Sequence, residues 1–326
     1  MTQTVAPAKI LFVTSTRIGD AVLSSGLLSH LVETRPDARF TIACGKVTAS
    51  LFEGVPRLDR VIAMTKGKYA AHWRHLWSEC IGTRWDTIID LRRSALVWTL
   101  FAKNRFRLQE ASGNGHRVEE NGRVLGLVPP PSPKLWTLPE HDARAEQLIP
   151  SGVPVLAVGP SANWRGKTWR AGRFIEVVER LTTVGAPFEN AKVAVFAAEN
   201  EREIAAPVLH AIPEDRRIDA IGEPHLLSVY AALSRCQGYI GNDSGLMHMA
   251  AAADVPTLGL FGPSRAEHYA PWGEHAAFVR TPQSFDELVG GPGYNHRTTD
   301  TLMDGLTVDA VVDAAQALFS KSLLTK

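Results

Sequence analysis

The sequence predicts an α/β protein of two domains, each built on a parallel sheet. Short β-rich apolar runs alternate with amphipathic stretches along the whole chain. At 326 residues the chain is about twice the size at which one hydrophobic core is comfortable, and proline and glycine punctuate it near the middle.

Strands are expected at residues 10–14, 40–43, 60–63 and 87–91 in the first half, and at 155–159, 193–197, 217–220, 238–241 and 257–261 in the second. These are short apolar runs of the kind a sheet covered on both faces requires. Helices are expected at 21–34, 174–183, 201–210, 226–235 and 247–253, where apolar residues recur at helical spacing, and a last helix at 308–324. Two Rossmann-like sheets follow. Pro129, Pro130, Pro131 and Pro133 suit neither helix nor central strand, and Pro150, Gly152 and Pro154 interrupt the chain just before a new strand. The junction is therefore set near residue 152, giving domains 1–152 and 153–326, the second ending in the closing helix. Gly290, Gly291, Pro292 and Gly293 read as a loop.

Composition narrows the function. No run approaches the roughly 18 to 20 apolar residues of a membrane span, and the first residues lack the order of a signal peptide, so a cytoplasmic protein is expected. Cys44, Cys80 and Cys236 are widely spaced, which argues against a disulfide framework and a structural zinc site. The net charge of +1 hides an asymmetry: residues 1–150 hold 20 Lys and Arg against 14 Asp and Glu, and the remainder 15 against 20. The basic residues are scattered rather than gathered with aromatics, so nucleic acid is not expected as a partner. They make either a solvated surface or a face for an acidic partner.

Three loops carry candidate chemistry. After the first strand, Thr14 to Asp20 lead into a helix, so Asp20 sits where a doubly wound sheet places its ligands. A carboxylate in a first turn also complements the helix dipole, and that structural reading stands beside the functional one. After strand 155–159 come Ser161, Asn163, Arg165, Gly166 and Lys167, a donor-rich loop that either faces a diphosphate or is solvated. The third stretch, Tyr239 to His248, ends a strand and starts a helix with Asp243, Ser244 and Gly245. A helix start offers unpaired amides to an anion, and Gly245 has no side chain to block its approach; the alternative is a capped helix with His248 in the core. GxGxxG and GxxxxGK[ST] are missing, which removes the main support for a nicotinamide enzyme or a P-loop enzyme. GxSxG, HExxH and a DxD pair are also missing, so no metal ligands are evident. Most of the tryptophans are expected in the core, although Trp164 and Trp169 flank Lys167 and are also candidates to line a pocket.

Together these residues resemble the ADP-heptose:lipopolysaccharide heptosyltransferases, glycosyltransferase family 9. The resemblance rests on Arg17, Ile18, Gly19, Asp20; on Lys167 with Trp169; and on Gly241 to His248 continuing through Ala250 and Pro256. Leu260 to Ser264 and Tyr269 to Gly273 extend it. It implies the GT-B fold, two Rossmann-like domains with parallel sheets facing a central cleft, the first for the acceptor and the second for the nucleotide sugar. By position it implies Asp20 as general base, Lys167 as the cation at the donor phosphates, and Ser161, Asn163, Glu201, Asp243, Ser244, Gly245 and His248 as the donor site. Glu199 is a neighbour of the same type as Glu201. Arg17, Gly19, Arg92 and Arg93 fall to the acceptor side. Between residues 283 and 303, where the family often carries cysteines, this chain has none.

The expected activity is thus inverting, metal-independent transfer of heptose or a related sugar from an ADP-sugar to a lipopolysaccharide core or similar saccharide. No cofactor is expected beyond that donor. Alternatives are a transferase of the same fold serving exopolysaccharide, capsule or protein glycosylation, a sugar-nucleotide epimerase, and a non-catalytic binding protein. Peripheral association with the cytoplasmic face of the inner membrane fits Arg84, Arg92, Arg93, Lys103, Arg105 and Arg107.

Overall fold

A computed structural model of the protein describes residues 7–65, 67–109, 115–290, 294–295 and 298–323, the last three by backbone alone. The chain divides into two compact units, Met1–Trp136 and Thr137–Lys326.

The first unit carries β1 (Lys9–Val13), β2 (Arg39–Gly45), β3 (Leu58–Met64), β4 (Trp85–Asp90) and β5 (Ala102–Arg107), with helices α1 (Ile18–Thr34), α2 (Ala71–Cys80), α3 (Leu96–Thr99) and α4 (Arg117–Arg123). Its strands are parallel in the order β3-β2-β1-β4-β5. Sequence reasoning missed β5. It is an edge strand reading Ala-Lys-Asn-Arg-Phe-Arg, in which no residue is fully buried, so it lacks the apolar run of the central strands. By contrast β1 buries four of its five residues.

The proline run does not end this unit but packs on it. A Cβ added at Gly26 of α1 would lie 2.2 Å from the Pro131 carbonyl oxygen, so only glycine lets the two backbones approach so closely. The Lys134 amide donates to Ser25 Oγ at 2.9 Å, and Asn121 Nδ2 donates to the Leu23 carbonyl at 3.1 Å.

The second unit carries α5 (Pro139–Leu148), β6 (Val155–Gly159), α6 (Ala171–Thr182), β7 (Lys192–Ala197), α7 (Arg202–Ala211), β8 (Arg217–Ile221), α8 (Leu226–Ser234), β9 (Gly238–Asn242), α9 (Gly245–Ala252), β10 (Thr257–Phe261), α10 (Ala266–Tyr269), β11 (Ala276–Arg280), α11 (Phe285–Val289) and α12 (Val308–Leu323). The parallel order β8-β7-β6-β9-β10-β11 is that of a doubly wound nucleotide-binding sheet. Helix α5 packs on α8, Arg235 Nε donates to the Ile149 carbonyl at 3.0 Å, and Arg144 pairs with Glu223 at 2.9 Å. Those contacts join α5 to the second unit and bring the division to residue 136, ahead of the expected 152.

Strand β11 was also unforeseen, and it too is an edge strand without a buried residue. Helix α12 packs on α6, β10 and β11 within this unit, through Val311, Val312, Ala315 and Phe319. Phe319 meets Phe188 edge to face at 4.9 Å, and Gly238 leaves room for both rings. The loop expected over 290–293 and the helix end at 324 lie outside the described residues, apart from Gly290. Cys44, Cys80 and Cys236 are buried free thiols, and burial pushes them up to about 11, 12 and 12. Among the described residues no helix is long and apolar enough to cross a membrane.

Candidate active site

Each sheet has one point where the strand order reverses, and loops leaving the carboxyl ends of the strands splay apart there to leave a crevice. In the second unit that point lies between β6 and β9, where Gly159 pairs with Gly241. The loops after these strands carry Ser161 and Lys167 on one side, and Asp243, Ser244 and Gly245 on the other. Asn242 fastens the two: its Nδ2 donates to the Pro160 carbonyl at 2.9 Å and its Oδ1 accepts from the Trp169 amide at 3.1 Å. One sequence signal could have found that role, a carboxamide at the end of an otherwise apolar strand.

Lys167 Nζ donates to Asp243 Oδ2, and His248 Nε2 lies 4.0 Å from Asp243 Oδ1. Asp243 and His248 are buried, while the Lys167 side chain is 23% exposed. An ammonium has three protons to donate, so the bond to Asp243 fixes its position and leaves donors for a ligand. Ser161 Oγ donates to Glu201 Oε2 at 2.7 Å, drawing the loop after β7 toward the same point. Glu199 is instead held by Arg202 through bonds of 2.9 to 3.1 Å, and this pairing keeps its carboxyl below the ordinary range. Geometry thus separates two glutamates that sequence could not.

Asn163 is exposed, and among the described residues its side chain makes no hydrogen bond to the cluster. Trp169 is not a pocket wall: it is 1% exposed, stacks edge to face on Phe174 at 5.1 Å, and donates Nε1 to the Leu306 carbonyl. Trp164 is half-buried, with its ring edge-on to Tyr294 at 6.4 Å.

Sequence reasoning also overlooked Tyr239. Its ring is wholly buried, and its hydroxyl fills the space that Gly159 and Gly241 leave without side chains. Burial drives the phenol above its ordinary range, with the Ser244 hydroxyl opposing the shift and Glu201 adding to it. Tyr239 Oη and Ser244 Oγ are buried against one another, and among the described residues neither has another hydrogen-bond partner. A buried hydroxyl at a helix start with only another hydroxyl beside it is uncommon, and the Ser244 hydroxyl suits a ligand rich in acceptors. A Cβ at Gly159 would lie 2.1 Å from the Tyr239 hydroxyl. Gly159→Ala is therefore expected to lower stability by about 1–3 kcal/mol, with much of it regained in Gly159→Ala/Tyr239→Phe, as read by denaturant unfolding.

In the first unit the reversal lies between β1 and β4, whose ends meet where Val13 pairs with Asp90. Asp20, in the first turn of α1, is half-buried, and Ser15 Oγ donates to its Oδ2 at 3.5 Å. Gly19 is half-buried and Arg17, the residue before the helix, is exposed. At the end of β4 the wholly buried Asp90 shapes the turn: it accepts from the Arg92 amide at 2.7 Å, and from the Ser94 amide and hydroxyl at 2.7 and 2.6 Å. Burial raises this carboxyl above its ordinary range against the pull of those bonds. The turn holds Arg93 at φ +56°, a left-handed conformation that costs a non-glycine residue about 1–3 kcal/mol. It also lays the Arg92 guanidinium over the Trp73 ring at 5.8 Å, with Nη1 buried and without a hydrogen-bond partner among the described residues. The loops bearing Asp20 and the Arg92–Arg93 pair thus leave neighbouring strands at one end of the sheet.

Two doubly wound parallel sheets, each with polar loops at its reversal point, make up the GT-B fold. The solved structures that share this fold agree. The glycosyl transferase family 9 protein of Veillonella parvula superposes with a TM-score of 0.77 at 22% identity over 96% of this chain and 97% of its own. The ADP-heptose lps heptosyltransferase II of Escherichia coli gives 0.72 at 20% identity over 97% and 99%. The model of glycosyltransferase family 9 (heptosyltransferase) matches residues 114–287, and the chain belongs to that family. Lipopolysaccharide heptosyltransferase 2 of Salmonella typhimurium is 24% identical across 96% of this chain and 99% of its own length, and that of Escherichia coli 25% across 95% and 98%.

Proposed function

We propose that the protein moves a heptose or related sugar from an ADP-sugar to a lipopolysaccharide core or similar saccharide, inverting the transferred carbon without a metal ion. The observation that carries this reading is the division of charge between the two reversal points. The second unit offers an ammonium, the free amides of α9 and the Ser244 hydroxyl, a set of donors suited to a leaving diphosphate. The first offers the Asp20 carboxylate, suited to take a hydroxyl proton, beside the cationic Arg92 turn, suited to an anionic saccharide.

In this mechanism Asp20 accepts the proton as the acceptor oxygen bonds to the anomeric carbon. The bond from that carbon to the diphosphate breaks, and the electron pair leaves with the nucleotide. One displacement inverts the centre. Lys167, Ser244 and Gly245 stabilise the departing charge, Ser161 orients Glu201, which meets the nucleoside ribose, and Asp243 and His248 position Lys167. The names of the relatives support both the heptose and the lipopolysaccharide acceptor. An acceptor of that class goes with peripheral attachment to the cytoplasmic face of the inner membrane.

The test is a donor panel of ADP-heptose, UDP-sugars and GDP-sugars with a core saccharide, read by mass spectrometry and by the NMR coupling of the new linkage. Transfer from ADP-heptose, inverted and unchanged by EDTA, is expected. Transfer only from another nucleotide sugar, or a rate that EDTA abolishes and added metal restores, overturns the reading.

A further inference from the structure

Among the described residues five aromatic side chains are exposed, and four of them, Tyr69, Trp77, Trp98 and Phe101, lie on one short stretch of the first unit. Trp98 and Phe101 are 67% and 70% exposed. Their display is built into the fold. Leu96, Val97 and Leu100 anchor α3 in the core formed with Leu76 and Cys80 of α2, which leaves the intervening Trp98 and the following Phe101 outside. Arg105 then spends its guanidinium on this turn, donating to the carbonyls of Val97, Leu100 and Ala102 at 3.0, 2.8 and 2.7 Å. Burying a guanidinium's donors in three carbonyls to hold two large aromatic groups in solvent is costly for a surface without a partner.

Beside the turn, a groove of about 330 Å³ is lined by Trp73, Arg74 and Trp77 of α2 and by Ala95, Leu96 and Thr99. From Gly67 to Arg107 the sequence holds eight Lys and Arg against three Asp and Glu. Of those three, Asp90 is buried, Asp86 is paired with Lys103 and Glu79 with Arg60. The surface is therefore aromatic and positive. Tryptophan and phenylalanine beside arginine and lysine match the boundary between acyl chains and anionic headgroups.

We propose that this face of the first unit docks on an anionic phospholipid bilayer, with Trp98 and Phe101 entering at headgroup depth and Arg74 among the lipid phosphates. It gives a surface to the membrane attachment included in the function above, but it stands on its own observations and needs no sugar chemistry.

The test is sedimentation of the full chain with vesicles of phosphatidylcholine alone or mixed equally with phosphatidylglycerol, neither containing saccharide. Binding to the mixed vesicles is expected, weakened by salt, and reduced about tenfold or more in Trp98→Ser/Phe101→Ser. Both positions are exposed, so the variant should keep its melting temperature, and its transfer to a soluble acceptor should be unchanged. Equal binding by the variant, or none by the parent chain, overturns the proposal. So does sedimentation velocity showing a dimer that the variant converts to monomer, since the face would then join two copies. Absence of transfer with intact vesicle binding would sink the proposed activity and leave this surface standing.

Discussion

Asp20→Asn is expected to lower kcat by about 10²- to 10⁴-fold while the affinity for ADP, read by calorimetry, stays within about twofold. The asparagine keeps the volume of the carboxyl and its place in the first turn of α1, so the fold has no reason to change. What it removes is a group able to take a proton. The loss corresponds to about 3–5 kcal/mol of barrier, far above the tenths of a kcal/mol that a dipole-complementing carboxylate contributes at a helix start. The size of the effect thus separates a base from a helix-stabilising residue. Near-normal turnover by a folded variant would leave Asp20 with the second role alone.

Lys167→Met is expected to reduce kcat/KM by about 10²- to 10³-fold, the usual cost of removing one donor aimed at developing charge. It should also destabilise the second unit, because it leaves the Asp243 carboxylate, 6% exposed, without its cation. Breaking a fully buried pair costs about 3–5 kcal/mol, and with the lysine 23% exposed the loss should be nearer 2–3. Lys167→Met/Asp243→Asn separates the two effects. Removing both charges should restore most of the stability measured in denaturant but none of the activity. Recovery of both together would reduce Lys167 to a counter-ion for Asp243.

These residues were legible in sequence to different degrees, for physical reasons. The central strands announced themselves because a parallel sheet covered on both faces demands unbroken apolar runs. Strands β5 and β11 did not, since an edge strand carries polar residues such as Lys103 and Asn104. Asp20, Lys167 and Asp243 could be placed because each follows a readable strand. Tyr239 could not, because period and composition make it one more buried strand residue, and only coordinates show its hydroxyl under Gly159. Trp169 was open to two readings for the converse reason: next to a polar loop it suits a pocket wall as well as a core, and packing against Phe174 decides for the core. Helix α5 sat on the wrong side of the expected junction, since punctuation marks breaks in the chain and not which core a helix joins.

The carboxamide of Asn242, at the end of β9, grips the loop after β6 twice, through the Pro160 carbonyl and the Trp169 amide, so the two sides of the crevice are stitched across the sheet reversal. A jaw fixed in this way has a set gauge. New sugar preferences must then arise by exchanging the side chains that line it, with the backbone span conserved as a common frame.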